Sequence, residues 1–557
     1  MKSGKFFFNR GISQSLLRRF WPLWLGVLAM LILLGPAQVS RLMSYMPEYP
    51  VWRSNEMVRG ILGAGVDAAR FEMAAAVLTA MAMYSYLYLP RTCGLMNTVP
   101  VRRETVFLTA FLTGLLPLLA ADLIAFLCLL GAAAGVEGVS TAVCLQWLKA
   151  VVLSTVGFYG LASFCAVLTG NILVLPVVYL VLGVVAAAAE GCVRALLGSL
   201  VYGYTYNRFS LTALSPLVYV LDNVQVTAPG TSRDPSMEII HYQIGHLGYL
   251  GWFCLAGLVL TVLAVLLLRR RHMESVGDVV AVPQLRPVFR CCMAAGCAIA
   301  LAVLLEDFFY GRTAGGRNGA VVVFPALVAG SLIGWFGSEM LMKKTLRVFH
   351  SGWKGYGIIT ACLLLFAVCA ETDLTGYEKR VPAAEEIDNV RLLSCQTPLR
   401  DGETMELCRA LHRQIIGHKS ENERADQTME IHLRYELKNG KAMDRLYYVK
   451  SYEGITDEPE SDLSTYERLI NCPEVRMTRF DTDGISAADI RWAQVTQSFL
   501  NEAGWLENRE LHLTREQAED LYNTAILPDG RDGKIGYSWM SYGEASRRAL
   551  TTLNVYF

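Results

Sequence analysis

Long apolar runs alternate with short polar connectors along the first two thirds of the chain, and the alternation stops near residue 370. A helix needs about 20 apolar residues to cross the hydrocarbon layer of a bilayer. Nine segments fit that requirement: residues 20–39, 71–89, 105–133, 145–168, 172–189, 247–268, 289–305, 320–341 and 355–370, the seventh being short. Residues 1–20 mix Phe6, Phe7, Phe8, Ile12, Leu16 and Leu17 with basic side chains, which suits a helix lying in the membrane interface before the first span. The first apolar run is longer than a secretory signal core and more spans follow, so it reads as a retained helix.

Beyond residue 371 the periods change. Met429, Ile431, Leu433, Tyr435 and Leu437 alternate with polar residues, Asn439-Gly440 follows, and Leu446, Tyr447, Tyr448 and Val449 continue the pattern. This predicts a β-hairpin closed by a two-residue primed turn. Leu407, Leu411 and Ile415 form a helical stripe with Arg413, His418 and Lys419 towards its carboxyl end. Ser464 with Glu467, Ser486 with Asp489 and Thr514 with Gln517 have capping-box spacing at three further helix starts. The expected fold class is a polytopic α-helical membrane protein of about nine spans carrying a C-terminal soluble α/β (α+β) domain.

Composition agrees: of 557 residues, 53% are hydrophobic and 18% charged, with mean hydropathy +0.34. A formal net charge of zero conceals an asymmetry, because residues 1–370 hold 27 Lys+Arg against 16 Asp+Glu, while residues 371–557 hold 23 against 34. With the amino terminus inside, the inner segments carry Lys2, Lys5, Arg10, Arg18, Arg19, then Arg91, Arg102, Arg103, then Arg269, Arg270, Arg271, Arg286, Arg290, and last Lys343, Lys344, Arg347 and Lys354. The outer segments, although longer, carry Arg41, Arg53, Arg59, Arg208, Arg233, Arg312 and Arg317. The excess of inner cations predicts a cell-membrane protein with a cytoplasmic amino terminus and, after nine spans, an extracytoplasmic C-terminal domain.

Candidate chemistry is sparse. Asp122 inside the third span and Glu190 near the end of the fifth would each cost about 2.5–3.5 kcal/mol at the bilayer centre facing lipid. They should therefore face other helices or water. Arg194, one turn after Glu190, suggests an ion pair there, whereas Asp122 has no sequence partner and is a candidate for a transport path. His241 and His246 lack a carboxylate or cysteine at ligand spacing and read as loop residues, so no metal site is expected. Eleven of the fourteen cysteines lie in or beside the apolar part; Cys395, Cys408 and Cys472 stand in the tail, where a Cys395–Cys408 bridge is open. No GxSxG or HExxH pattern occurs, so no catalytic residue is assigned. GxxxxGK[ST] is also absent, so nucleotide hydrolysis by that route would need another chain.

The connector at residues 90–104, PRTCGLMNTVPVRRE, is short and basic, with prolines able to fix the ends of a helix that transmits a push. Its arginines could equally anchor on anionic headgroups. The first 272 residues resemble the ABC-2 type permease of bacterial ABC transporters. The likeness rests on a leader ending Arg18-Arg19-Phe20-Trp21-Pro22, two spans joined to the third by NTVPVRRETVF, three more spans and a closing RRRH. It implies a coupling helix in the connector, with Arg91, Pro100, Arg102 and Arg103 docking on a cytoplasmic ABC ATP-binding subunit that holds the ATP–Mg. A second permease subunit, identical or different, would complete the path. The layout becomes a permease domain at 1–272, three further spans at 273–370 and an extracytoplasmic domain at 371–557, similar to larger Gram-positive permeases linked to peptide or antibiotic export. The resemblance implies export of a lipophilic or amphipathic substrate, with no cofactor on this chain and no nucleic-acid partner. The alternative is a membrane-anchored receptor whose outer domain senses a ligand.

Overall fold

The computed structural model describes residues 8–45, 50–89, 101–134, 136, 138–205, 210–228, 240–269, 271, 277–310, 319–350, 352–392, 395–425, 427–452, 455, 458–475, 490–500, 506–528 and 550–556. Among them, eight helices are long and apolar enough to cross a membrane, the architecture of a polytopic helical membrane protein. The second expected span is the exception. It falls in a 34-residue helix, α3 (Pro50–Met83), whose middle carries Asp67, Arg70 and Glu72. The chain folds as two compact units, one of residues 1–191, 210–293 and 335–351 and the other of 192–209, 294–334 and 352–557.

The first unit is a helix bundle. α1 (Arg10–Leu34) is capped by Asn9, whose side chain accepts the Gly11 and Ile12 amides. Residues 10–20 therefore continue into the apolar helix without a break, not as a separate interfacial helix, and Ser13 is buried against Thr113 at 3.0 Å. After α2 (Pro36–Tyr45) and α3 come α4 (Arg103–Ala133), α5 (Thr141–Leu168), α6 (Val174–Leu200), a short α7 (Pro216–Asn223) and α8 (Leu247–Leu268). The two-residue strands β1 (Val226–Thr227) and β2 (Gln243–Ile244) pair between α7 and α8.

The centre is α5, with 72% of its apolar stretch enclosed by protein. It packs along α3 and along α8, and its small residues permit this. A Cβ on Gly160 would lie 2.3 Å from the Gly257 carbonyl oxygen on α8, and one on Gly257 would lie 2.7 Å from that of Gly157. In hydrocarbon, helices associate by such close approach because apolar burial gives no preference for protein over lipid. Buried hydroxyls on these helices are spent locally, Thr79 on Ala75 O at 2.7 Å and Thr261 on Gly257 O at 2.9 Å.

In the second unit, Leu196 and Leu200 of α6 join Ala298 and Ala302 of α9 (Arg286–Tyr310), Val323 and Leu327 of α10 (Gly319–Lys343) and Ala367 of α11 (Trp353–Glu371) in one apolar cluster. The chain then forms an antiparallel sheet in the order β4-β3-β5-β6, from β3 (Ile387–Leu392), β4 (Cys395–Leu399), β5 (Thr428–Leu437) and β6 (Ala442–Lys450). Packed with it are α12 (Gly402–Gly417) and α13 (Asp462–Ile470). A second antiparallel sheet, β8-β7-β9, joins Trp492–Leu500 (β7), Leu506–Leu513 (β8) and Leu550–Tyr556 (β9), with α14 (Arg515–Leu521) beside it.

The hairpin falls where the alternation places it, with a different turn. Leu437 N donates to Lys441 O at 2.8 Å and Gly440 N to Leu437 O at 2.9 Å, while Gly440 alone in the loop has positive φ, +76°. Lys438-Asn439-Gly440 is thus a three-residue loop ending in a left-handed glycine, not a two-residue primed turn. The Thr514–Gln517 capping box is formed. The helix expected at Ser464 begins three residues earlier, where the Ser461 hydroxyl accepts the Ser464 amide. Ser486 and Asp489 lie outside the described residues. Cys408 is a buried free thiol, and the Cys395 side chain lies outside what the structure describes.

Candidate functional site

The connecting segments of the first unit are gathered at two ends. Where α3 stops and α4 starts, Arg271 is buried and donates to Ala166 O at 3.2 Å, Val167 O at 3.3 Å and Leu87 O at 3.3 Å. Two of these carbonyls belong to the last turn of α5, where a cation meets the negative end of the helix dipole and groups left without intrahelical partners. Gly170 N donates to Asp278 O at 2.9 Å and Gly277 N to Gly170 O at 2.7 Å, laying the segment after α8 along the α5–α6 turn. Asp278 then pairs with Arg286 at 3.2 Å and Lys344 at 3.1 Å, and nearly buried Glu339 with Arg290 at 3.1 Å and Lys343 at 3.0 Å. Every one of these cations comes from a segment assigned to the inner side by the sequence.

The opposite end is tied chiefly by backbone amides and carbonyls. Asn55 accepts from Ile240 N at 2.9 Å, Gln146 from Ile244 N at 3.1 Å, and Arg70 donates to Leu221 O at 2.9 Å. Glu190 accepts the Leu211 amide at 2.7 Å. His246 contacts Tyr219 Oη through Nδ1 at 2.9 Å, and no group of three or more His, Cys, Asp or Glu able to hold a metal occurs among the described residues.

Of the proposed coupling residues, Arg91 and Pro100 lie outside the described residues. Arg102 is exposed as the residue capping α4, and Arg103 is the first residue of that helix and also exposed. Next to them Glu104 pairs with Arg269 at 2.7 Å. The exposed pair leaves two cations on the surface beside a rigidly stitched helix end.

Asp122 lies inside the bundle, fully buried on α4, with Thr155 Oγ1 of α5 at 2.9 Å from Oδ2 and with Oδ1 unpartnered. Beside it on α3 is Glu72, also fully buried, with Asp122 and Thr155 acting on its carboxyl but no hydrogen bond of ordinary geometry at either oxygen. Asp122 is legible as an ionisable residue in an apolar run. Glu72 escapes the hydropathy pattern, because an apolar run counted from Phe71 puts Glu72 at a helix end. The i,i+3 pairs Glu56–Arg59 and Asp67–Arg70 are the signal that the helix continues upstream and that Glu72 is interior.

In the sheet-bearing part of the second unit several buried polar groups are joined in networks. Glu378 accepts Tyr202 N at 2.8 Å and Lys419 Nζ at 2.7 Å, and Asn422 donates to Tyr202 Oη at 3.2 Å and Asp462 at 2.9 Å. Burial would lower the Lys419 ammonium, but Glu378, Glu423 and Glu371 hold it above its usual range. Arg445 is buried over the Tyr377 ring, 3.7 Å from its centroid. Buried His412 contacts Tyr447 Oη through Nε2 at 2.8 Å; burial first, then Arg445 and Arg413, push it down to about 3. Burial also raises the Cys408 thiol, aided by Cys472 and Glu474. These contacts join the sheet to its flanking helices as packing networks. No family model, curated protein or solved structure matches the chain.

Proposed function

We propose that the chain is the permease subunit of an ATP-driven exporter, working with a separate cytoplasmic ABC ATP-binding subunit and a second permease subunit. The observation that supports this most is the stitched end of the first unit. Arg271 and Asp278 fasten the ends of α5, α8 and the segment before α9 into one body, and Arg102 and Arg103 stand exposed beside it. A push delivered to the connector is then carried into the bundle as a rigid-body movement instead of being absorbed by a loose loop. Gathering the basic connectors at that end favours its being cytoplasmic, and with α3 counted as a ninth crossing beside the eight apolar helices, the sheet-bearing part is an extracytoplasmic α/β domain. The cargo would be lipophilic or amphipathic.

Affinity purification of the full chain from its native membrane tests this. The expected result is co-purification of an ATPase carrying a Walker motif, lost in the R102E/R103E double variant while membrane insertion is unchanged. Absence of any such ATPase, or its retention after charge reversal, contradicts the reading.

A further inference from the structure

The buried acids of the bundle pose a problem that the exporter reading does not use. Glu72 and Asp122 bring two carboxyl groups together in the interior, both with zero exposure, and three of their four oxygens lack a hydrogen bond of ordinary geometry. An unpaired carboxylate in so apolar a setting costs several kcal/mol or more, and two adjacent ones repel as well. The side chains that act on the pair are a carboxyl and a hydroxyl, Asp122 on Glu72 and Thr155 on both. Arg271 is committed to carbonyls at one end and Arg70 to the carbonyls of Leu221 and Val224 at the other. The remaining polar groups nearby are Thr155 of α5 and Tyr179 of α6, and the Tyr179 hydroxyl donates to Met73 O at 3.0 Å.

Thr155 supplies the independent clue. Its Oγ1 lies 2.9 Å from Val151 O and 2.9 Å from Asp122 Oδ2. A hydroxyl has one hydrogen to give. If Thr155 donates it to Val151 O, as Thr79 and Thr261 do to the carbonyls four residues before them, the contact with Asp122 needs a hydrogen from the carboxyl side. One proton on the acid pair satisfies that contact and removes one of the two buried charges. A calcium or magnesium ion, by contrast, takes six or more oxygens at fixed short distances, and the pair offers three free ones.

We infer that Glu72 and Asp122 form an intramembrane proton-binding site that holds one proton between them, hydrogen-bonded through Thr155. Two carboxyls at close quarters share one proton, and carboxyls within membrane helices serve in proton relays, so the site gives the bundle a proton-linked step. The inference is independent of the ATPase partner and stands or falls without it.

Infrared spectroscopy of the full chain in lipid vesicles at pH 7 tests it. Expected is the carbonyl stretch of a protonated carboxyl, shifted by deuterium exchange, moved in frequency in each of E72Q, D122N and T155V, and lost in the E72Q/D122N double variant. Absence of that band from the unaltered chain overturns the inference. So does a band left unchanged by E72Q and by D122N or surviving in their double variant, or one abolished by sodium at constant pH, which would make the ligand a metal cation. Should the variants fail to fold, dicyclohexylcarbodiimide, which attacks protonated carboxyls in apolar surroundings, is used on the unaltered chain. An adduct at Glu72 or Asp122 supports the proton site, and adducts confined to other carboxyls overturn it.

Discussion

At the scale of single residues, burial decides what each ionisable group does. His412 is enclosed between Tyr435, with ring planes 17° apart, and Tyr447, and is kept neutral by burial and by Arg445 and Arg413. Its folded value of about 3 lies below the ordinary 6.5. Between those limits the unfolded chain binds a proton that the folded one refuses, so its contribution is complete above pH 6.5 and is lost on acidification, at up to about 1.4 kcal/mol per pH unit. Thermal unfolding of the full chain in detergent should therefore lose about 2 kcal/mol more between pH 6.5 and 5 than the H412Q variant does. Equal losses would remove His412 from the acid response. Single residues are only partly legible in the sequence. Asp122 announces itself against its apolar neighbours. Inward-facing Arg445 does not, because alternation marks a charged residue as outward, and only the Tyr377 ring and carbonyl that receive it explain its burial.

At the scale of elements, the sequence locates helices and strands by period but leaves open how they end and which one is central. The β5–β6 pairing follows from alternation, yet Asn439-Gly440 fits both a two-residue and a three-residue loop. The choice rests on the single left-handed residue, Gly440, and on the Leu437–Lys441 bond. The centrality of α5 is hidden because its composition is that of any apolar helix. What distinguishes it is the fit of Gly157 and Gly160 to Gly257, a contact far apart in the chain. Replacing Gly257 by Val forces a side chain into the α5 backbone and should cost about 1–3 kcal/mol or more through overpacking. It would be seen as a lower melting temperature and a poorer folded yield in detergent. A Cβ added at Gly251 on the same helix would meet nothing within 4 Å, so G251V should behave as the unaltered chain does. Equal behaviour of the two variants would contradict the close α5–α8 approach.

At the scale of the whole molecule, the sorting of basic connectors is the most legible feature, because it depends on where cations stand in the sequence and not on packing. The segments carrying Arg102, Arg269, Arg271, Arg286, Arg290, Lys343 and Lys344 are drawn to one end of the first unit by contacts that no sequence pattern signals, such as Arg271 on the α5 carbonyls and Asp278 between Arg286 and Lys344. Carboxylates at helix ends and on a connector, Glu104, Glu339 and Asp278, are the partners that hold the like charges together. On the exporter reading this end is expected to face the cytoplasm and the β5–β6 hairpin to face outward. Single cysteines introduced at exposed Arg347 and at Asn439 in the hairpin loop, in a chain otherwise freed of reactive cysteines, report on it through a membrane-impermeant maleimide. The account predicts labelling of Asn439→Cys in intact cells and of Arg347→Cys only after permeabilisation; labelling of Arg347→Cys in intact cells, with Asn439→Cys protected until they are opened, would contradict it.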